Sequence, residues 1–187
     1  MMATLWLGFL RCVGGLLLSF LTTNVAVSAP TTDVPAKKRP NIVVMVADDW
    51  GFTDVGAFGS EISTPNLDSL ARQGMRFSNF HVSAECSPTR AMLMTGVDSH
   101  RTGVGAMRES VPQEHYGRPG YLTVLNQNVV TMSSLLQDSG YRTYAVGKWH
   151  VGKEPYNLPP ARGFDRSLVQ GDSGSDNWET AQRYMAL

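Results

Sequence analysis

Three runs of apolar residues have the patterns expected of β-strands. Residues 41–46 (NIVVMV) form a continuous run rich in β-branched side chains, which indicates a strand buried on both faces of a parallel sheet. Residues 75–82 (MRFSNFHV) alternate between apolar and polar side chains, and residues 141–146 (YRTYAV) form a third run that a glycine follows. We therefore expect strands at these three places.

Helical patterns lie between the predicted strands. Thr64 can cap a helix that has Pro65 at its first position, leucines along its apolar stripe and Gly74 at its end. Residues 88–95 and 129–137 predict two further helices. Because strand and helix patterns alternate along the chain, the sequence predicts an α/β fold.

The first 40 residues are organised differently. A positively charged start, an apolar stretch (CVGGLLLSFL) and a run of small residues follow one another, as in a secretory signal peptide. We predict a signal peptide at 1–29, a proline-rich linker at 30–40 and a folded domain at 41–187. The apolar stretch is shorter than the ~20 residues that span a bilayer, so we expect an exported protein, periplasmic or secreted, without a stable membrane span. An uncleaved signal anchor and a buried core helix are the alternatives.

The charge balance argues against a polyanionic partner. The chain has 16 basic and 16 acidic residues and a formal net charge of zero. Its one basic run, residues 37–39, lies in the predicted linker and is typical of a solvated segment. We therefore expect no nucleic-acid binding.

Removal of the signal peptide would leave one cysteine, Cys86, because Cys12 lies within the removed segment. An unpaired cysteine in an exported protein has three explanations. It can be a small buried apolar residue, a reactive group, or half of a disulfide whose partner lies beyond residue 187. The residues around Cys86 favour the reactive group.

Cys86 opens the pentapeptide CSPTR, directly before a predicted helix. The backbone N–H groups and the dipole at a helix start favour anions. Arg90 lies one turn along, where its guanidinium could bind an oxyanion. A structural cysteine beside a helix cap is the alternative.

Polar residues also follow two of the predicted strands. Asp48 and Asp49 come after residues 41–46, where open α/β sheets bind ligands, so they suit either a metal site or a helix-capping turn. Lys148 and His150 follow the third run and are two residues apart on an extended segment, which would place both side chains on one face. A strand end with a buried tryptophan is the alternative for this second segment.

With these segments in place, the chain resembles the sulfatase family over roughly residues 39–178. The resemblance lies, in order, in RPNIVVMVADDWGFTDVGAFG, TPNLDSLARQGMRFSNFHV, CSPTRAMLMTG, SHRTGVG, GYRTYAVGKWHVGKEP and ARGFDR. Members of the arylsulfatase-like, formylglycine-dependent branch are the most similar. The resemblance implies an α/β fold of the alkaline-phosphatase-like type, with a mixed or parallel sheet flanked by helices.

The resemblance also implies catalytic roles for four residues. A formylglycine-generating maturation enzyme would oxidise Cys86 to Cα-formylglycine, and one hydroxyl of the hydrated aldehyde would attack the sulfate sulfur while the other helps to expel sulfate. Arg90 would hold the diol, and Lys148 would bind the diol and a sulfate oxygen. His150 would take the proton of the diol.

A calcium site is implied as well. Asp48 and Asp49 would supply half of its ligands, and residue 86 would complete this side of the site. Because Ca²⁺ takes about six to eight oxygen ligands, the resemblance implies an Asp-Asn pair beyond residue 187.

The implied reaction is hydrolysis of a sulfate ester in a sulfated small molecule or carbohydrate. A phosphonate or phosphate ester hydrolase is one alternative, because phosphoryl and sulfuryl oxygens suit similar cationic groups. An inactive secreted remnant is the other. Family members are several hundred residues long, so we expect these 187 residues to be an N-terminal fragment without activity of its own.

Overall fold

The computed structural model describes residues 39–171 and the backbone of residues 183–186. The chain divides into two units, Met1–Met45 and Val46–Leu187. The predicted signal peptide and most of the predicted linker lie outside the described residues. No helix within the described ranges is long and apolar enough to cross a membrane.

The described residues of the second unit form four α-helices: α1 at Pro65–Gln73, α2 at Cys86–Thr95, α3 at Ser99–Thr102 and α4 at Met132–Asp138. Helix α1 confirms the predicted start at a proline and the predicted end at Gly74. Helix α2 begins two residues earlier than predicted, at Cys86 itself. Helix α4 begins later than the apolar pattern suggested, because the side chain of Thr131 accepts a hydrogen bond from the backbone N–H of Ser134 and caps the helix there.

A three-stranded mixed sheet follows these helices. Strand β1 (Tyr144–Lys148) pairs in parallel with β2 (Arg166–Gln170), and β2 pairs antiparallel with β3 (Arg183–Ala186). The register places Lys148, the last residue of β1, opposite Gln170. The strand predicted at 141–146 therefore exists but lies a few residues further along. Parallel pairing requires a crossover connection, and residues 149–165 supply it.

Two predicted strands are wrong. Residues 41–46 are irregular and exposed, with Val43 80% and Val46 44% exposed. Residues 75–82 are also irregular, and their aromatic side chains are exposed. A strand forms only where a neighbouring strand accepts and donates its backbone hydrogen bonds. In the part of the chain that the structure describes, the sheet contains β1, β2 and β3 and neither of these segments.

The hydrophobic core joins α2 to the end of β1. Its seven buried apolar residues come from α2, from β2 and from the segments between them: Ala91, Met94, Val104, Leu125, Trp149, Val151 and Val169. Full burial of a side chain the size of valine or leucine contributes roughly 1.5–3 kcal/mol. The core therefore fixes the start of α2 relative to the end of β1, which are the positions of Cys86 and Lys148.

Candidate active site

Asp48 and Asp49 lie in a bend with exposed side chains. The backbone of Asp49 has a φ of 57°, in the left-handed region that aspartate tolerates better than most residues. In an extended segment, neighbouring side chains point to opposite faces. The bend removes that alternation, so both carboxylates can serve one site.

Cys86 is the first residue of α2 and is partly buried. Its Sγ lies 4.0 Å from Oδ1 of Asp49. The preceding residue, Glu85, has an extended backbone, and its side-chain Oε2 accepts a hydrogen bond of 2.7 Å from the backbone N–H of Met107. The start of α2 is therefore attached both to the aspartate bend and to the loop after α3.

Arg90 lies one helical turn after Cys86 and joins three segments of the chain. Its Nη1 donates a 2.7 Å hydrogen bond to the backbone carbonyl of Lys148, and its Nη2 lies 3.4 Å from Oδ1 of Asp48. Its side chain is 13% exposed. The guanidinium thus connects α2 to the end of β1 and to the aspartate bend.

Lys148 binds the same carboxylate from the end of β1. Its Nζ donates to both oxygens of Asp48, each at 3.0 Å. Burial raises the pKa of the Asp48 carboxyl, but the hydrogen bond and charge of Lys148 and the charge of Arg90 outweigh it, so the pKa lies below its usual value. Asp48 is therefore a carboxylate at neutral pH.

Asp48, Asp49 and Cys86 form the group with metal-ligand spacing in the described residues: one ligand atom from each lies within 4.8 Å of the other two. Carboxylate oxygens suit a hard cation such as Ca²⁺, whereas a thiol suits softer metals. The two aspartates thus fit one side of a calcium site. Cys86 would fit such a site better with an oxygen group in place of its sulfur.

His150 lies two residues after Lys148 but outside β1. Its backbone φ is 59°, so the predicted extended segment ends before it and the argument from side-chain alternation does not apply. The residue is 7% exposed, and its backbone N–H donates to the carbonyl of Gly171. The contacts given above join the other five predicted residues, Asp48, Asp49, Cys86, Arg90 and Lys148, which we call the residue 86 cluster. His150 is connected to that cluster along the backbone.

Sequence reasoning missed a buried arginine outside the cluster. Arg162 ends the 3₁₀ helix Pro159–Arg162 and donates from Nη2 to Leu125 O, Asn126 O and Asn157 Oδ1. We call this set the Arg162 anchor. Its only sequence signal was the segment ARGFDR, which indicated family resemblance and suggested no role for the arginine.

Comparison with known sequences identifies related proteins. A family model described as Sulfatase matches residues 40–186. An uncharacterized sulfatase of Schizosaccharomyces pombe is 45% identical over 144 residues, which are 75% of this chain and 26% of the relative. An arylsulfatase of Klebsiella aerogenes is 39% identical over 145 residues, which are 78% of this chain and 31% of the relative.

Solved structures show the same relationship. The crystal structure of Ps i-CgsB matches with a TM-score of 0.61 at 39% identity, over 71% of this chain and 28% of the other. A second structure of that protein, in complex with k-i-k-neocarrahexaose, matches with the same TM-score at 38% identity and the same coverage. These similarities confirm the predicted α/β, alkaline-phosphatase-like fold. The chain spans between 26% and 31% of the length of the two curated relatives described above.

Proposed function

Because the chain belongs to the sulfatase family, we propose that the full-length protein hydrolyses sulfate esters at the residue 86 cluster. One observation carries the proposal: ligand atoms of Cys86, Asp48 and Asp49 lie within 4.8 Å of one another, and two cationic side chains contact one of the carboxylates. A nucleophile precursor, metal ligands and groups that bind oxyanions are therefore all within reach of one small anion.

Residue 86 is the nucleophile in this proposal, after a formylglycine-generating enzyme has converted Cys86 to Cα-formylglycine. The hydrated aldehyde supplies a hydroxyl that attacks the sulfate sulfur. The position of residue 86 suits this chemistry, because it is the first residue of α2. Unpaired N–H groups and the helix dipole favour negative charge at such a position.

Asp48 and Asp49 are proposed to hold Ca²⁺, which would neutralise charge on the sulfate group. A carboxylate has lone pairs for several partners, so Asp48 can bind a cation while it still accepts hydrogen bonds from Lys148. The exposed bend leaves room for further oxygen ligands, which Ca²⁺ needs because it takes about six to eight of them.

Arg90 and Lys148 are proposed to bind the sulfate oxygens. Their side chains are 13% and 10% exposed, so their charged ends are held in place and partly shielded from water. Fixed charges in such surroundings stabilise developing negative charge more strongly than mobile charges in solvent. Arginine has five N–H donors and lysine three, which leaves donors beyond the bonds to Asp48 and to the Lys148 carbonyl.

His150 is proposed to move the proton of residue 86. An imidazole titrates near neutrality and can therefore accept and release a proton under working conditions. Its burial and its place two residues after Lys148 support this role.

We propose a sulfated small molecule or a carbohydrate as the substrate. The neocarrahexaose complex of a related structure supports the inclusion of carbohydrates. We also propose that the protein is exported, to the periplasm or outside the cell, through a signal peptide at residues 1–29.

The test is turnover of matched esters by the full-length protein, produced together with a formylglycine-generating enzyme. We expect hydrolysis of p-nitrophenyl sulfate and of a sulfated oligosaccharide to exceed that of p-nitrophenyl phosphate. Mass spectrometry of the tryptic peptide around residue 86 should show the aldehyde. Faster hydrolysis of the phosphate ester would support the phosphatase alternative, and an unmodified thiol without turnover would support the inactive remnant.

A further inference from the structure

Arg162 is buried, at 6% exposure, without an ion pair to a carboxylate in the described part of the chain. Its Nη2 lies 2.9 Å from Leu125 O, 3.0 Å from Asn126 O and 2.6 Å from Asn157 Oδ1. A buried charge is costly unless hydrogen bonds offset the loss of water. The guanidinium therefore holds these neutral acceptors, and the segments that carry them, in fixed positions.

Two of these acceptor residues bind the residues on either side of position 150. The backbone carbonyl of the fully buried Asn157 accepts a 2.9 Å hydrogen bond from the indole Nε1 of Trp149. The backbone N–H of Leu125 donates a 2.9 Å hydrogen bond to the carbonyl of Val151. Trp149 and Val151 are thus both attached to groups that Arg162 holds.

The backbone at His150 needs such support. Its φ of 59° is disfavoured for a residue with a side chain and persists only where the surroundings hold it. On the sheet side, the N–H groups of Trp149 and His150 donate to the carbonyls of Gln170 and Gly171. Position 150 is therefore held from the sheet on one side and from the Arg162 anchor on the other.

We propose that Arg162 is a positioning residue, which fixes the backbone of residues 149–151 and so places His150 relative to Lys148. This inference rests on the proposed function, because it requires His150 to act in the reaction. The planar fork of Arg162 presents two nitrogens to the surrounding carbonyls: Nη2, whose two N–H groups are shared among the three acceptors, and Nη1, which lies 3.5 Å from the carbonyl of Val129. A lysine ammonium carries all its donors on one nitrogen and cannot occupy both positions. Arginine is therefore required here for its geometry as well as its charge.

The test is Arg162→Lys in the full-length, matured protein, measured beside His150→Ala and the double variant. A displacement of about 1 Å can cost on the order of 100-fold in rate. We therefore expect Arg162→Lys to lower kcat roughly 10- to 100-fold, with KM and formylglycine content nearly unchanged. Because the anchor acts through His150, the double variant should be no slower than His150→Ala alone.

Two further variants complete the test. Arg142→Lys makes the same chemical change in a side chain that is 81% exposed, and kcat should be unchanged. Trp149→Phe removes the indole N–H but keeps an aromatic ring. It should lower kcat in the same direction by a smaller factor, and it serves as the test if Arg162→Lys does not fold.

A folded Arg162→Lys or Trp149→Phe variant with wild-type kcat would overturn the inference. Losses that multiply in the double variant would overturn it too, since they would show that Arg162 acts independently of His150. In both cases the proposed sulfatase function stands. Wild-type kcat in His150→Ala would instead refute the proposed role of His150, and this inference with it.

Discussion

The residue 86 cluster and the Arg162 anchor both depend on charged side chains, but their partners differ. In the cluster, two cations pair with the carboxylate of Asp48, whose side chain is 47% exposed. In the anchor, a guanidinium at 6% exposure donates to two backbone carbonyls and one side-chain amide oxygen. The carboxylate of Asp48 is therefore open to solvent and to a bound ligand, whereas the acceptors of the anchor are closed off by the buried guanidinium.

The difference indicates that chemistry and stability are located in separate places. Ion pairs with a solvent-exposed partner, as Asp48 is at 47% exposure, contribute roughly 0–1 kcal/mol each, so the cluster should add little to the free energy of unfolding. Loss of a buried donor leaves its acceptors unpaired, at about 1–3 kcal/mol for each group. Changes in the cluster should therefore reduce activity, and changes in the anchor should reduce stability as well.

The largest expected effect is that of Cys86→Ala in the cluster. Without the nucleophile, hydrolysis of p-nitrophenyl sulfate should fall by about 10⁴-fold or more. The midpoint of thermal unfolding should stay close to that of the wild type, because the thiol is partly exposed and its Sγ lies as far as 4.0 Å from Oδ1 of Asp49. Initial-rate assays and calorimetry of the full-length protein measure both quantities. A large loss of stability in this variant would contradict the separation of activity, in the cluster, from stability, in the anchor.

Arg162→Met should have the largest effect on stability. Burial lowers the pKa of Arg162, and Tyr156 opposes this shift, but the guanidinium remains charged at neutral pH. Its removal should lower the free energy of unfolding by about 1–3 kcal/mol for each acceptor left unpaired. Urea titration measures this loss. The exposed control Arg142→Met should change it by no more than about 0.5 kcal/mol, and equal losses in the two variants would refute the special role of the anchor.

Calcium should stabilise the protein through the cluster. At a concentration of about 100 times Kd, binding to the native state adds roughly 2.7 kcal/mol, and a chelator should remove this gain together with most of the activity. Asp49→Asn should abolish the calcium-dependent rise of the unfolding midpoint, whereas Glu61→Gln, at an exposed acidic residue elsewhere, should keep it. An unaltered calcium response in Asp49→Asn would exclude this residue from the site.

The smallest expected effect is a pH dependence of the free energy of unfolding that arises from Asp165, three residues after Arg162. The backbone N–H of Thr143, with the amide of Gln137, lowers the pKa of Asp165 below its usual value. The stabilisation is therefore complete above the unfolded value of about 3.9 and is lost as the pH falls through the lower folded value. When the pH is lowered below about 4, the free energy of unfolding of Asp165→Asn should fall less than that of the wild type. Urea titrations at a series of pH values measure this difference. Parallel curves for the two proteins would contradict this assignment.

Local signals predicted the helices better than the strands. Proline at the start and glycine at the end located α1 from adjacent residues, because these signals depend on backbone geometry within one turn. Residues 41–46 have the composition of a buried strand but are exposed in this chain. An apolar run shows that a segment can join a sheet. It does not show whether a neighbouring strand is there to pair with it, because such strands come from distant parts of a sequence.

The site was predictable in part. Motifs singled out Cys86, Arg90 and the pair Asp48–Asp49 as candidates, and the structure places them close together. Local patterns could not show that the ammonium of Lys148 contacts a carboxylate 100 positions earlier. The resemblance to sulfatases implied a role for Lys148 toward the diol and a sulfate oxygen, and it did not include this contact. Arg162 was missed because its role depends on which carbonyls surround it in the fold, and these have no signature in the sequence.

The central claim is that residue 86, as an oxygen nucleophile, lies beside a calcium ion held by Asp48 and Asp49. A crystal structure of the full-length, matured protein grown with calcium tests it most directly. We predict density for a hydrated aldehyde at residue 86 and a calcium ion bound by both carboxylates. An unmodified thiol at residue 86, with calcium bound away from both aspartates, would contradict the claim.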